Sequence, residues 1–260
     1  MTNDSVKLTY KEIFYPESKF GGFSDVDGTI AFYIRVNSLI NYSSVVLDIG
    51  CGRGATREDP IAIRRELQIL RGKCKKVIGI DIDEAAKENP FIDEFYLLPN
   101  SYGTWPVEDE SIDLCIGDNI LEHIEVPELF FSECYRVMKL GGYLCIRTPN
   151  SNSYIGIIAR LFPERLHPSI LRKAQPNRKG LDVFPKFYKC NAIRKIRHML
   201  NKYGFDHWVY GYEAEPSYLM FSRFLYSLGV VHQRIAPKAL RVAILAFARK
   251  RERTLGKESK

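Results

Sequence analysis

The first half of the chain alternates short apolar runs with longer amphipathic stretches. Residues 45–47 form an apolar run that leads straight into a glycine-rich loop, and residues 76–80 form a second run that ends at Asp81. The residues between these runs, 62–70, have the periodicity of a helix. Strands alternating with helices at this spacing indicate a parallel sheet covered on both faces. Three further strands and one further helix continue the pattern: strands at 94–98, 112–116 and 143–147, and a helix at 129–138 that we expect Gly141 and Gly142 to end.

The pattern loosens after residue 150, in a stretch rich in Pro, Arg and Lys, and recovers near residue 191. We predict a helix at 191–203, stopped by Gly204, then a strand at 207–212 and an aromatic-rich helix at 218–228. Residues 241–248 fit either a last strand or an amphipathic helix, and we favour the strand. Residues 250–260 have the composition of a charged, frayed tail.

Length and composition bound the class of protein. The 260 residues, 45% of them hydrophobic, suffice for one sizeable α/β domain with an ordinary core. The six cysteines form no C-x-x-C pair and several lie in apolar runs, so we expect free thiols in a reducing compartment. The N-terminus lacks an apolar signal segment, and no apolar run reaches the ~20 residues that span a bilayer. We therefore expect a cytoplasmic protein, soluble or at most peripheral to a membrane.

The net charge of +7 is unevenly distributed along the chain. Residues 151–202 contain twelve Lys or Arg against two acids, so the remainder is slightly acidic. One interpretation is a well-solvated helical face. The other is a region that faces phosphorylated, carboxylated, nucleic-acid or membrane-surface partners.

The glycine-rich loop carries the strongest chemical signal. It spans residues 47–55, where a buried strand turns into a helix, and its glycines let the backbone approach a ligand closely. Gly50, Gly52 and Ala55 satisfy the dinucleotide pattern G-x-G-x-x-G/A, so the loop alone does not separate a nicotinamide enzyme from a methyltransferase. Asp48 helps to separate them, because its carboxylate would repel the pyrophosphate of NAD. The same carboxylate favours the ammonium and sulfonium of S-adenosylmethionine.

An acidic residue at the end of the second strand is the next signal. Asp81 can accept both hydroxyls of an adenosine ribose, a position that NAD and S-adenosylmethionine sites share. Asp81 lies 31 residues after Gly50, against roughly 20 in the dinucleotide fingerprint. Asp83 is the alternative ribose partner, and capping of the following helix is the structural alternative for Asp81.

Five segments in order resemble successive motifs of class I S-adenosylmethionine-dependent methyltransferases. The resemblance runs from about Val45 to Asn150 and is similar to the branch that includes quinone-biosynthesis and sugar methyltransferases. It implies a Rossmann-like, mostly parallel seven-stranded sheet with helices on both faces and a basic helical cap insert. The segments are VLDIGCGRG at 46–54, GID at 79–81, WPVEDESIDL at 105–114, LEHI at 121–124 and RVMKLGGYL at 136–144.

The resemblance also implies a division of the chain. Residues 1–260 would form a single domain, with an N-terminal lid or helix at 1–44 and the cofactor-binding core at 45–150. A basic cap on the acceptor side would follow at 151–190, and residues 191–250 would complete the sheet.

By position, the same resemblance implies the cofactor contacts. Asp48 and the glycine loop would hold the methionine end, whereas Asp81 and Ile82 would hold the ribose and flank the adenine. Asp118 and Asn119 would lie beside the sulfonium and the acceptor. Some quinone methyltransferases have a metal-binding Glu where this chain has Asn119, so we predict no metal. The complete predicted set is Asp48, Gly50, Cys51, Gly52, Gly54, Asp81, Ile82, Ser101, Tyr102, Asp118 and Asn119, of which Ser101 and Tyr102 stand where an adenine contact is usual.

His123 is the candidate general base. An alcohol acceptor must lose its proton as the methyl group arrives, and imidazole titrates in a useful range. In the alternative interpretation, His123 only packs against the next helix and methyl transfer depends mainly on holding donor and acceptor in line.

The sequence indicates the chemical class of the methyl acceptor but not its identity. Residues 117–120 read GDNI rather than [D/N]-P-P-[Y/F], which argues against methylation of adenine or glutamine amino groups and favours an oxygen or carbon acceptor. A small, glycan-linked or lipid-linked acceptor, anionic in character, suits the basic insert with its interleaved aromatic residues. We expect no nucleic acid, since no RNA-binding module is recognisable. Contact of residues 218–228 and 241–248 with a membrane surface stays open, as do an NAD(P)-dependent oxidoreductase and a non-catalytic cofactor-binding relative.

Overall fold

A twisted, mostly parallel sheet forms the centre of this computed structural model, which describes residues 8–100, 103–161 and 184–251. The spatial order of its strands is β3-β2-β1-β4-β5-β7-β6. β1 to β5 pair in parallel, whereas β7 runs antiparallel between β5 and β6. The strands are β1 (Val45–Ile49), β2 (Lys76–Asp81), β3 (Glu94–Leu97), β4 (Ile112–Asp118), β5 (Met138–Pro149), β6 (Phe205–Tyr212) and β7 (Ala243–Lys250). This sheet confirms the predicted Rossmann-like, mostly parallel, seven-stranded sheet.

Helices cover both faces of the sheet. One face packs against α2 through Phe32 and Val36, and the other packs against α4 and α6, for example through Phe131 and Ile196. All four side chains are fully buried. The α-helices are α1 (Tyr10–Phe14), α2 (Gly28–Ser38), α3 (Ala62–Gln68), α4 (Pro127–Val137), α5 (Tyr154–Leu161), α6 (Ile193–Lys202) and α7 (Arg223–Ile235). Short 3-10 turns occur at Pro16–Lys19, Ala55–Glu58, Glu84–Glu88, Leu121–His123, Ser217–Leu219 and Lys238–Leu240.

The chain enters the sheet at its centre. β1 is paired with β2 on one side and with β4 on the other. The strand order therefore reverses between β1 and β4, and a crevice opens at the carboxyl ends of these strands.

The end of the fold confirms the strand predicted near residues 241–248. β7 pairs with β5 from Tyr143↔Arg249 to Pro149↔Ala243, and its other edge pairs with β6. Its Ile244 and Leu245 are fully buried. A segment that is hydrogen-bonded to a neighbouring strand along both of its edges is a strand inside the sheet and not an amphipathic helix.

Gly141 and Gly142 do not end a helix, contrary to the prediction. α4 ends at Val137 and both glycines lie inside β5. Gly141 has a φ of 78°, and a Cβ on Gly142 would lie 3.1 Å from the Asp113 carbonyl oxygen. The pairing of β4 with β5 shifts register at this point, so the glycines permit an irregularity in the strand rather than a helix cap.

The helix predicted at residues 218–228 was also placed wrongly. Ser217–Leu219 forms a 3-10 turn, and α7 begins only at Arg223. The Oγ of Ser222 accepts a hydrogen bond from the backbone N–H of Leu225 at 3.4 Å, which caps the helix. The cap sets the start of the helix five residues later than the aromatic pattern suggested.

Of the predicted basic cap at 151–190, residues 162–183 lie outside the described part of the chain. Its described ends are α5 and residues 184–190, which return the chain to the carboxyl edge of the sheet. Within the described residues, no helix combines the length and hydropathy needed to cross a membrane.

Candidate functional site

A cavity of about 550 Å³ opens at the carboxyl ends of β1, β2 and β4. The topology explains its place, since the strand order reverses between β1 and β4. The predicted ligand residues that the structure describes all line it: Asp48, Gly50, Cys51, Gly52, Gly54, Asp81, Ile82, Asp118 and Asn119, together with the candidate base His123. Ser101 and Tyr102 lie outside the described residues, so an adenine contact from them stays a prediction.

The glycine loop turns the chain sharply from β1 toward α3. Gly50, Gly52 and Gly54 have φ values of 72°, 55° and 73°, a conformation that side chains other than glycine rarely adopt. A Cβ on Gly50 would lie 2.6 Å from the Cδ1 of Ile120, whereas a Cβ on Gly52 would meet nothing within 4 Å. Gly50 is therefore required by packing, and Gly52 keeps the cavity beside the loop open.

Asn89 holds the glycine loop in place, and the sequence reasoning missed it. Its Nδ2 donates to the carbonyl oxygens of Cys51, at 2.9 Å, and Gly52, at 3.1 Å. Its Oδ1 accepts from the N–H of Phe91 at 2.9 Å, and the side chain is buried. The dipeptide Asn-Pro signals a turn in the sequence but not this contact with a loop 37 residues away.

Asp48 is a half-buried carboxylate at the floor of the cavity. Burial, and then the negative charges of Asp118 and Asp81, raise its pKa from 3.8 to about 7. Among the described residues, none donates a hydrogen bond that would lower this pKa. Asp48 therefore favours any cation that enters the cavity.

Asp81 connects the end of β2 with the glycine loop. Its Oδ2 accepts from the N–H of Gly52 at 2.9 Å, and its Oδ1 accepts from the N–H of Asp83 at 2.9 Å. The carboxylate of Asp83 has other partners. It forms an ion pair with Arg53 at 2.7 Å and accepts a hydrogen bond from the N–H of Ala85. The hydrogen bonds from Arg53 hold the pKa of Asp83 below its usual value. Of the two acids, Asp81 is the one that is hydrogen-bonded to a backbone N–H of the glycine loop.

Asp118 belongs to a polar network that the sequence reasoning also missed. Arg147 donates to both of its carboxylate oxygens at 2.6 Å, and the hydroxyl of Tyr33 donates to Oδ2 at 3.0 Å. Nδ2 of Asn119 donates to Oδ1 at 3.0 Å, and Arg147 also donates to the hydroxyl of Thr29. The network ties α2 to β4 and β5 at the cavity wall. Ligand contact by Asp118 and Asn119 stays a prediction.

The charge balance of the cavity is acidic. Asp48, Asp81 and Asp118 surround its floor, and Arg147 forms its ion pair with Asp118. The neighbouring Arg53 pairs with Asp83 at the rim. Such a site favours a cationic ligand and disfavours a phosphate.

His123 lies on the opposite wall of the cavity, in the 3-10 turn after β4. Its Nδ1 is 2.7 Å from the carbonyl oxygen of Pro185, and its ring meets that of Phe184 edge-on at 6.2 Å. A carbonyl oxygen can only accept, so Nδ1 carries the proton. The neutral ring consequently has its basic lone pair on Nε2.

The end of the insert is anchored beside this histidine. The carbonyl oxygen of Glu122 accepts from the N–H groups of Phe187, at 2.8 Å, and Tyr188, at 3.2 Å. The Glu122 side chain is buried, where its carboxylate accepts from the hydroxyl of Thr148 at 3.1 Å, and burial raises its pKa. Phe184 and Phe187 thereby become part of the cavity wall. Within the described chain, His, Cys, Asp and Glu side chains form no group of three or more suited to a metal ion.

The model of the methyltransferase domain family matches residues 47–146 of this chain. A probable S-adenosylmethionine-dependent methyltransferase of Mycolicibacterium smegmatis is 29% identical over 110 residues, which are 40% of this chain and 38% of that protein. The mitochondrial ubiquinone biosynthesis O-methyltransferase of Rattus norvegicus is 28% identical over 161 residues, or 58% of this chain and 42% of that protein. The chain thus matches about two fifths of the length of these relatives.

Solved structures agree with the topology. A S-adenosylmethionine-dependent methyltransferase from Archaeoglobus fulgidus superposes with a TM-score of 0.53 and 21% identity, covering 90% of this chain and 97% of that one. This likeness shows the fold, and the sequence matches cover the strand–loop–strand segment that lines the cavity. Residues 47–146 of the chain thus match the methyltransferase domain family, and the fold around them is the one seen in a solved S-adenosylmethionine-dependent methyltransferase.

Proposed function

We propose that this chain binds S-adenosylmethionine in the cavity and transfers its methyl group to an oxygen or carbon atom of an acceptor. The observation that carries the proposal is the acidic floor beneath a glycine loop, where Asp48 is half-buried and, among the described residues, has no cationic partner. S-adenosylmethionine has two cationic groups, an ammonium and a sulfonium, and no phosphate. Its charges complement those of the floor.

The residues present fit this cofactor. Asp48 and the loop around Gly50 and Gly52 would hold the methionine end, and the open space beside Gly52 leaves room for it. Asp81, aligned with the loop, would accept the ribose hydroxyls. When bound, the cofactor supplies a methyl group made electrophilic by the sulfonium.

On the acceptor side, the chain contributes a base and an apolar wall. His123, with Nδ1 bonded to the Pro185 carbonyl, has Nε2 free of that bond to take the proton of a hydroxyl acceptor. Phe184 and Phe187 close the cavity near it, which orients an acceptor and excludes water. For a carbon acceptor, the same nitrogen would remove the proton that leaves the methylated carbon.

The acceptor we propose is small or linked to a glycan or lipid, and anionic. The basic excess in residues 151–202 supports an anionic acceptor, since Phe184, Pro185 and Phe187 of that stretch line the cavity. The relative from Rattus norvegicus is named as an O-methyltransferase, which is in keeping with an oxygen acceptor. A nicotinamide dinucleotide fits less well, because the carboxylate of Asp48 would repel its pyrophosphate.

The test is calorimetric titration of the full chain with S-adenosylhomocysteine and, separately, with NADH. We expect micromolar binding of S-adenosylhomocysteine by the wild type, loss of binding in Asp81→Ala, and retained binding in the matched control Asp83→Ala. The control removes an acid two residues away that pairs with Arg53. Circular dichroism confirms that both variants fold.

Tight NADH binding without a response to S-adenosylhomocysteine would overturn the proposal. Equal losses in Asp81→Ala and Asp83→Ala would refute the assignment of the ribose contact to Asp81. The acceptor class is then tested by incorporation of labelled methyl into glycan, lipid and small-metabolite pools. Incorporation into none of these pools by a protein that binds the cofactor would favour a non-catalytic relative.

A further inference from the structure

One face of α7 is apolar and exposed. Phe224, Leu228, Val231 and Ile235 are 69%, 49%, 52% and 75% exposed. At 100° per residue these four positions fall within about 60° of helical arc. The opposite side of the helix packs on the protein through Tyr226, which is fully buried. The exposed stripe is therefore a continuous surface rather than scattered apolar residues.

Neighbouring segments enlarge the stripe. Met220 and Phe221, just before α7, are 48% and 58% exposed, and Ile157 and Ile158 of α5 are 45% and 46% exposed. α5 contacts α7 through the ring of Tyr154, which meets that of His232 edge-on at 4.9 Å. We call this surface, formed by residues 157–158, 220–221 and the α7 stripe, the apolar patch.

The charge of the segment that contains α7 has one sign. Residues 216–251 contain no Asp or Glu. Arg223, Arg234 and Lys238 are exposed at the two ends of α7. Apolar side chains beside cations, without acids, are typical of helices that lie in the interface of an anionic membrane.

The apolar patch lies at the same edge of the sheet as the cavity. β5 ends at Pro149, which pairs with Ala243 at the start of β7, and Tyr212 at the end of β6 pairs with the same alanine. β5 runs parallel to β4, whose end lines the cavity. α5 follows β5, and α7 connects β6 with β7, so both helices emerge at the carboxyl edge of the parallel strands.

We propose that the apolar patch docks on the surface of a membrane that contains anionic lipids. Its side chains enter the interface between headgroups and acyl chains, and Arg223, Arg234 and Lys238 contact the lipid phosphates. A second copy of the chain is the less suitable occupant, because two apposed patches would bring the cations of both copies together without any acid from residues 216–251 to neutralise them.

Docking itself does not depend on methyl transfer. Its consequence for catalysis rests on the proposed function: a membrane held at this edge brings a lipid-linked acceptor to the side of the sheet where the cavity opens. Binding to vesicles without any cofactor tests the docking alone, so failure of the docking and failure of the methyl transfer are separate results.

The experiment is co-sedimentation of the full chain with vesicles of phosphatidylcholine alone and of phosphatidylcholine with about 30% phosphatidylglycerol. We expect binding to the anionic vesicles that weakens between about 0.1 M and about 0.5 M salt. The double variant Phe224→Ser/Leu228→Ser should lower the partition coefficient by ~10-fold or more, because it removes apolar area from the interface. Arg234→Gln/Lys238→Gln should lower it for anionic vesicles by several-fold.

Matched controls come from the opposite edge of the sheet. Tyr42, 83% exposed, and the exposed Lys75 precede β1 and β2, so Tyr42→Ser and Lys75→Gln should bind vesicles like the wild type. All substituted side chains are exposed, and thermal unfolding should change little. The proposal is wrong if the wild type does not sediment with anionic vesicles, or if the double variant in α7 binds as well as the wild type. It is equally overturned if sedimentation velocity reveals a dimer that Phe224→Ser/Leu228→Ser dissociates while vesicles bind neither form.

Discussion

Substitution of Asp48 by Asn should stabilise the protein in the absence of ligand. The carboxyl has a pKa of about 7 in the folded chain and an ordinary value of 3.8, so the folded chain holds this proton more strongly than the unfolded chain. Stability contributed by that proton is therefore lost as the pH rises from about 4 to about 7. At about 1.4 kcal/mol for each pKa unit, ionised Asp48 lowers the free energy of unfolding by roughly 4 kcal/mol at high pH. The isosteric amide removes this cost.

The pH dependence is the decisive part of the prediction. Roughly 1–2 kcal/mol of the cost is already present near pH 5, because the unfolded carboxyl is mostly ionised there. The difference in free energy of unfolding between Asp48→Asn and the wild type should accordingly grow by about 2–3 kcal/mol between about pH 5 and about pH 8. Urea unfolding followed by circular dichroism at both pH values measures it. Asp206→Asn, at an exposed ion pair with Arg251, is the control and should change little.

The affinity for ligand, unlike the stability of the ligand-free protein, should increase with pH. A cationic amino-acid group favours ionised Asp48, so the affinity for S-adenosylhomocysteine should rise with pH up to about 7 and then level off. Asp48→Asn should bind more weakly and without this pH dependence. A difference in stability that stays constant between pH 5 and pH 8, or a variant that binds with wild-type affinity and pH dependence, would refute the reasoning.

Three further predictions follow from the site. His123→Gln should lower the methyl-transfer rate ~100-fold or more in single turnover, yet leave the calorimetric affinity for S-adenosylhomocysteine unchanged; unchanged turnover would mean that alignment alone suffices. Gly50→Ala should lower the free energy of unfolding by roughly 2 kcal/mol more than Gly52→Ala, since both have positive φ but only the first places a Cβ 2.6 Å from an isoleucine side chain; equal losses in urea unfolding would contradict this. Arg147→Met should lower the free energy of unfolding by ~3 kcal/mol, because it leaves the Asp118 carboxylate without its bidentate cation. The double variant Arg147→Met/Asp118→Leu should recover part of this loss in urea unfolding.

The pattern of apolar and polar residues was sufficient to predict the elements whose structure depends on residues close together in the chain. Short apolar runs predicted the strands that the structure describes, and the runs are almost continuous in the central strands β1, β2 and β4, which are covered on both faces. The residues at strand ends, Asp48, Asp81 and His123, could be placed at one site because the carboxyl ends of parallel strands meet at one edge. A predicted boundary was wrong where a single side chain decides it: Ser222 caps α7, which begins five residues beyond the position that the aromatic pattern suggested.

Only the tertiary structure decided how these residues are paired and which of them remain unpaired. Asn89 reaches the glycine loop and Arg147 neutralises Asp118 across long separations in sequence, and neither pattern nor spacing encodes such contacts. The pKa of Asp48 depends on burial and on two carboxylates brought together by folding. The apolar face of α7 likewise became an exposed surface only because the opposite face of that helix packs on the protein. Spacing along the chain specifies which faces can be apolar, whereas packing decides which face is covered.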